Sequence, residues 1–259
     1  MAATITFGAY MAKRQEQENL ARGEIIKLDL KRWRFAERER RLFEQAPHQL
    51  PTWRLANFGR KTLASLAEQL SERIPQEPRG LIEKLAAKRA AELASIQLAA
   101  LVVRNIGGIL TLVGCGHERE ALTLGRVNAE ALIRGRQLTD DTSGHVARNL
   151  LLGRRASSLK AAAARYGSEQ DIEFLDRFAH ADLLSLRAVS VMRDNGIDFD
   201  VQILPQRGGV QPATQLLEAG RHGAAFTSVL VDIFGVSYEM PRFLKEQIAY
   251  YQDHSLEGL

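Results

Sequence analysis

Arg126 and Glu130 stand four residues apart in LTLGRVNAEALIRG (122–135), a stretch otherwise suited to a helix core. At that spacing an arginine and a glutamate meet on one helix face. Such a pair can orient an anion, or hold a carboxylate where it takes up a proton as a general base. On a wheel at ~100° per residue, Leu122, Ala129 and Ile133 mark one apolar line, and the pair projects within about a quarter turn of it. The pair is expected at the edge of the buried face.

GCGH at 114–117 reads as a tight turn between two antiparallel helices, with glycine on both sides of Cys115 to supply a left-handed conformation. Residues whose numbers sum to about 232 then lie level, because both helices rise equally per residue. Arg104 falls near Asn128, and Arg104, Asn105, Arg126, Asn128 and Glu130 are expected as one polar cluster inside an apolar hairpin. Taking charges out of water costs several kcal/mol per ion, so a buried cluster is weak support for stability and invites a functional reading. The alternative is an Arg–Glu network that fixes helix register.

DRFAHADLLSL at 176–186 adds His180, on an amphipathic helix with Phe174, Phe178, Leu183 and Leu186. Packed on the hairpin, that imidazole would supply a proton-transfer group near neutral pH. The candidate catalytic set is Arg126, Glu130, His180 and Arg104.

A hairpin with Arg-x-x-x-Glu on its second helix, in EALTLGRVNAE, followed by an aromatic-flanked histidine helix, in FLDRFAHAD, resembles a bacterial family of unknown function. The resemblance spans about residues 85–235. It implies an all-α fold and marks Arg126, Glu130 and His180, but implies no activity. Asn128 stands where that family usually has Leu or Phe.

The elements that must position these residues read as helices at about 79–114, 118–138, 145–166, 169–195, 212–235 and 241–253, with 79–138 a long antiparallel hairpin. RIPQEPRG at 73–80 punctuates the chain with two prolines and a glycine. It suggests an N-terminal charged helical extension over 1–78 and a main helical bundle over 79–259. Within the charged stretch 11–46, Ile26, Leu30 and Trp33 fit a helix, while Ile26, Leu28 and Leu30 alternate as a strand would; length and flanking charge favour the helix. IDFDVQILP at 197–205 alternates like a strand and reads as an extended connection, with 24–31 as the one partner available to it. The fold class expected is all-α.

RFAERERR at 34–41 brings Arg34, Arg38, Arg40 and Arg41 beside an aromatic residue, a pattern able to grip a phosphate backbone. The other reading is a solvated helix face or an arm for homo-oligomerisation. Net charge is +4 with 27 Arg against 8 Lys, which permits RNA or DNA as partner without requiring it. One cysteine excludes an intramolecular disulfide, and no secretory signal opens the sequence, so a cytoplasmic location is expected. Arg104 and Asn105 interrupt the apolar run 93–114, which argues for a core helix rather than a membrane span.

Phosphate-loop, hydrolase-elbow, zincin and paired-cysteine motifs are absent, the six histidines are too scattered for a metal site, and the sequence leaves any cofactor unidentified. Arg41 and His48 approach the spacing of helical toxin ribonucleases, but Leu42 replaces the polar residue after the arginine and Pro47 should break the helix. Two classes of function lead, with a small-molecule enzyme using Glu130 as base as a third. One is a stress- or defence-associated protein that binds or acts on nucleic acid. The other is a non-enzymatic helical scaffold or self-associating protein whose buried Arg/Glu pair is structural.

Overall fold

The computed structural model describes residues 25–27, 50–74, 79–115, 117–154, 158–166, 190–192, 199–201 and 212–239. These form an all-α bundle with a few three-residue strands. In chain order they are β1 (Ile25–Lys27), α1 (Leu50–Glu72), a 3₁₀ segment (Arg79–Lys84), α2 (Ala87–Gly114), α3 (Glu118–Asp140), α4 (His145–Leu151), α5 (Leu159–Arg165), β2 (Ser190–Met192), β3 (Phe199–Val201), α6 (Pro212–Phe234) and β4 (Ser237–Glu239).

Helices α1, α2, α3 and α6 enclose the main core. Trp53, Leu63, Leu66 and Leu70 of α1 meet Val102, Ile106, Ile109 and Leu110 of α2, and Leu216, Phe226 and Leu230 of α6. The alanine-rich sequence of α2 favours the helix locally. It is long and apolar enough to cross a membrane by length and composition, and one side of it lies in this core.

Close contacts fix the helix directions. A Cβ on Gly59 would stand 2.8 Å from the Gly220 carbonyl oxygen, and one on Gly223 would stand 2.8 Å from the Gly59 carbonyl carbon. A Cβ on Gly220 would fall 3.3 Å from the Ala56 Cα, so 56 to 59 on α1 runs alongside 220 to 223 on α6, and the two are parallel. Trp53 Nε1 donates to the Leu110 oxygen at 3.3 Å, and Arg60 Cδ lies 3.8 Å from a Cβ built on Gly107. Helix α2 therefore runs against α1. Gly108 faces the Leu124 side chain across the hairpin, so α3 reverses again and runs with α1 and α6.

Two short helices close one side. Arg148 of α4 donates to the Leu85 oxygen at 2.8 Å and the Ser143 oxygen at 2.7 Å, and Gly144, at φ 71°, passes against Ala87. Burial raises the Asp141 pKa, but hydrogen bonds from the Ser143 hydroxyl and from the Val146, Ala147 and Ser143 amides outweigh it and hold the carboxyl below 3.8. Helix α5 seats Ala162 and Ala163 on Ala129 and Ile133 of α3. Tyr166 then donates to Asp140 at 2.8 Å, and Arg165 pairs with the same carboxylate at 3.0 Å. Burial and that hydrogen bond push the Tyr166 phenol above its ordinary value.

Several expectations are corrected. Residues 25–27 are a strand, not part of a helix: they pair in parallel with 237–239, with Ile26 opposite Tyr238, and Ile26 is buried in the core. β3 pairs antiparallel with β2, not with 24–31, so 190–192 is also strand rather than the end of a helix. The helix expected over 145–166 is two, parted where Gly153 takes φ 66°. The hairpin's first arm opens with the 3₁₀ segment, and Gly114 stays inside α2, with Cys115 (φ −104°) as its cap. α1 belongs to the same core as α2, α3 and α6, so the turn after residue 72 joins two bundle helices instead of separating an extension from the bundle. The helix expected at 241–253 and most of the 11–46 segment lie outside the described residues.

Candidate functional site

Arg126 Nη1 and the Glu130 carboxylate meet at 2.6 Å, with side chains 18% and 41% exposed. The pair sits on the α5 side of α3, beside Ala129 and Ile133, and turned away from the main core. The cluster read from the sequence therefore divides. Arg104 is exposed on α2. Asn128 is buried, but at ~100° per residue it lies about 160° around α3 from both Arg126 and Glu130. His180, Arg34, Arg38, Arg40 and Arg41 lie outside the described residues. No three His, Cys, Asp or Glu side chains cluster as a metal site among the described residues.

The buried polar groups gather elsewhere. Asn128 is 0% exposed, Gln215 7% and Asn105 9%. Both amide atoms of Asn128, both of Gln215 and the Asn105 Nδ2 are buried without a hydrogen-bond partner among the described residues. Each buried polar group left without a partner costs about 1–3 kcal/mol.

Helix geometry places these amides in one region. A Cβ on Gly135 of α3 would stand 3.0 Å from Phe226 Cε2 and 3.1 Å from Val229 Cγ1 of α6. Seven residues, two turns, return a helix to nearly the same face, drifting by only ~20°. Stepping back once from the Gly135–Val229 contact on these parallel helices reaches Asn128 and His222; stepping back again reaches Ala121 and Gln215. Across the hairpin, the Gly108–Leu124 contact sets Asn105 level with Asn128. The α3–α6 seam is thus apolar at one end and carboxamide-bearing at the other.

At Gly135 the seam is tight; Gly125 lies about 80° around α3 from Gly135, toward Ala129, and a Cβ there would meet no described atom within 4 Å. Carboxamides offer donors and acceptors but no charge and no labile proton near neutral pH. These carboxamides supply neither a base nor a nucleophile.

Two buried arginines were also not singled out from the sequence. Arg60 donates through Nε to Asn57 Oδ1 at 3.2 Å, and Arg134 through Nη1 to Gln137 Oε1 at 2.8 Å. The signal for the seam was present as the seven-residue spacings 121/128/135 and 215/222/229, which put polar residues on core-facing positions of two helices. No family model, curated protein or solved structure matches this chain.

Proposed function

We propose that this protein is a non-enzymatic helical scaffold or interaction protein, in which the Arg126–Glu130 pair is a packing element. The observation that carries this reading is the placement of the pair. Glu130 is closed onto Arg126 at 2.6 Å, on the side of α3 away from Asn128, and Arg104 is on the surface of another helix. General acid–base chemistry needs the proton-transfer group within hydrogen-bond reach of the reacting atom and, usually, a second group to orient it. The described partner of Glu130 is an arginine, which neither gives nor takes a proton in this range.

A nucleic-acid partner is the second reading, favoured by the +4 charge and the predominance of arginine. It supposes binding through phosphate contacts, weakening steeply as salt rises.

The test is incubation of the purified protein with mixed cellular RNA, with and without divalent metal, beside a folded Glu130→Ala protein. Light scattering across a concentration series reports self-association in the same samples. RNA left intact by both proteins is the expected result. Cleavage that disappears in Glu130→Ala would overturn the scaffold reading, and salt-sensitive retention of intact RNA would make nucleic acid the scaffold's partner.

A further inference from the structure

We infer that α5 is a releasable strap over the outer face of α3, latched by Asp140, and that it lifts away as a unit while the core of α1, α2, α3 and α6 stays closed. Its seven residues are too few to hold a helix alone in water, where about 12–15 are needed, so α5 is helical because it is docked. It docks by one face. Ala162 and Ala163 are buried on Ala129 and Ile133, whereas Lys160, Ala161, Ala164 and Arg165 on the opposite side are exposed. Burial stabilises in proportion to the apolar area removed from water, and alanine removes little, so this seam grips weakly.

The polar contacts at the end of α5 then decide whether the strap is down, and they converge on one carboxylate. Asp140 accepts the Tyr166 hydroxyl at 2.8 Å and pairs with Arg165 at 3.0 Å, while Arg136 Nη1 donates to the Tyr166 carbonyl oxygen at 3.4 Å. Asp140 is the last residue of α3, where the helix dipole opposes a negative charge. The carboxylate is therefore supported by its partners on α5 and not by its own helix. Latch and helix form one two-state element: releasing Asp140 unwinds α5, and unwinding α5 uncovers Ala129 and Ile133, which are 5% and 1% exposed with the strap down, beside the Arg126–Glu130 pair. A partner for that apolar strip would bind the open form alone and draw the population toward it.

The experiment follows amide hydrogen exchange along the full chain together with iodoacetamide labelling of Ala129→Cys, with the exposed Cys115 replaced by Ser, each with Asp140 intact and with Asp140→Ala. Asp140→Ala is expected to speed both exchange over 161–166 and labelling at 129 by at least about tenfold, the loss of one hydrogen bond to a charged group. Exchange in α2 and α6 should not change. Tyr166→Phe keeps Asp140 and Arg165 and should speed both by a smaller factor. If Ala129→Cys does not fold, Ile133→Cys reports on the same face. Slow labelling beside accelerated exchange over 161–166 would mean that α5 frays in place, and overturns the strap. So does acceleration that reaches α2 and α6 equally, since α5 would then open only with the whole bundle, and so does the absence of any acceleration.

Discussion

Helix α6 makes two long seams, one with α1 and one with α3, and they are built from different residues. Toward α1 it presents Gly220 and Gly223 against Ala56 and Gly59, so backbone lies on backbone. Toward α3 it presents Phe226 and Val229 against Gly135, then His222 and Gln215 along the same face. The first seam holds its helices by having no side chain in the way. The second changes along its length from apolar contact to carboxamides that need partners. One helix therefore carries a fixed edge and an edge with unused hydrogen-bonding capacity, and the two respond to substitution in opposite directions.

The largest effect is expected at the fixed edge. Gly223→Leu drives a Cβ to 2.8 Å from the Gly59 carbonyl carbon, where the obstacle is backbone and cannot rotate aside. Overpacking typically costs 1–3 kcal/mol, and against backbone the loss should reach about 3 kcal/mol or more, read from the midpoint of urea unfolding. A loss under about 1 kcal/mol would mean the seam opens readily, and the contrast between the two edges would fail.

At the other edge the sign should reverse. Asn128→Leu removes two buried amide atoms without described partners and replaces them with apolar volume at a fully buried position. Stability should rise by about 1–3 kcal/mol, the usual cost of such groups. A fall instead would show that the amide is hydrogen-bonded in solution and that the polar end is a packing feature.

The tight end of that seam can be tested without touching an amide. Gly125→Ala adds a methyl where no described atom lies within 4 Å, so the gain in helix propensity, about 1 kcal/mol, should appear almost in full. Gly135→Ala earns the same propensity but presses on Phe226 and Val229 at 3.0 and 3.1 Å, and should come out near zero or destabilising. Equal thermal shifts for the two variants would mean that Gly135 is not pressed against α6.

The sequence made the helices legible wherever apolar spacing was regular, as at 118–140 and 212–234, and the hairpin register held because the turn at 115–117 is short. It misled where one helix has two apolar faces. Leu122, Ala129 and Ile133 gave a clean line on α3, but Ala129 and Ile133 pack on α5, while the main core takes Ala121 and Ala131. Anchoring the wheel on the minor face put Arg126 and Glu130 in the foreground, and matching levels across the hairpin without matching angles set Asn128 in their company. α1 was assigned to an extension because the charges of 11–46 and the prolines near 75 masked the register of Trp53, Leu63, Leu66 and Leu70. Strand β1 is too short to show period-two alternation; its partner lies more than two hundred residues away, which local pattern cannot report.

The smallest effect is expected at Arg126 and Glu130, which belong to neither seam and so calibrate both. A double-mutant cycle with Arg126→Ala, Glu130→Ala and the double variant isolates their coupling from what each side chain does alone. The contact is short, but the glutamate is 41% exposed and the pair spans one helical turn. Pairs of this kind are worth about 0.3–0.5 kcal/mol. Here the arginine precedes the glutamate, the less favourable order against the helix dipole, so the lower end is expected, shrinking further as salt screens the carboxylate. A salt-insensitive coupling of about 2 kcal/mol or more would instead be the signature of a pair desolvated on both sides. That would return Arg126 and Glu130 to the interior and make the outer face of α3, not its seam with α6, the place where this bundle keeps its chemistry.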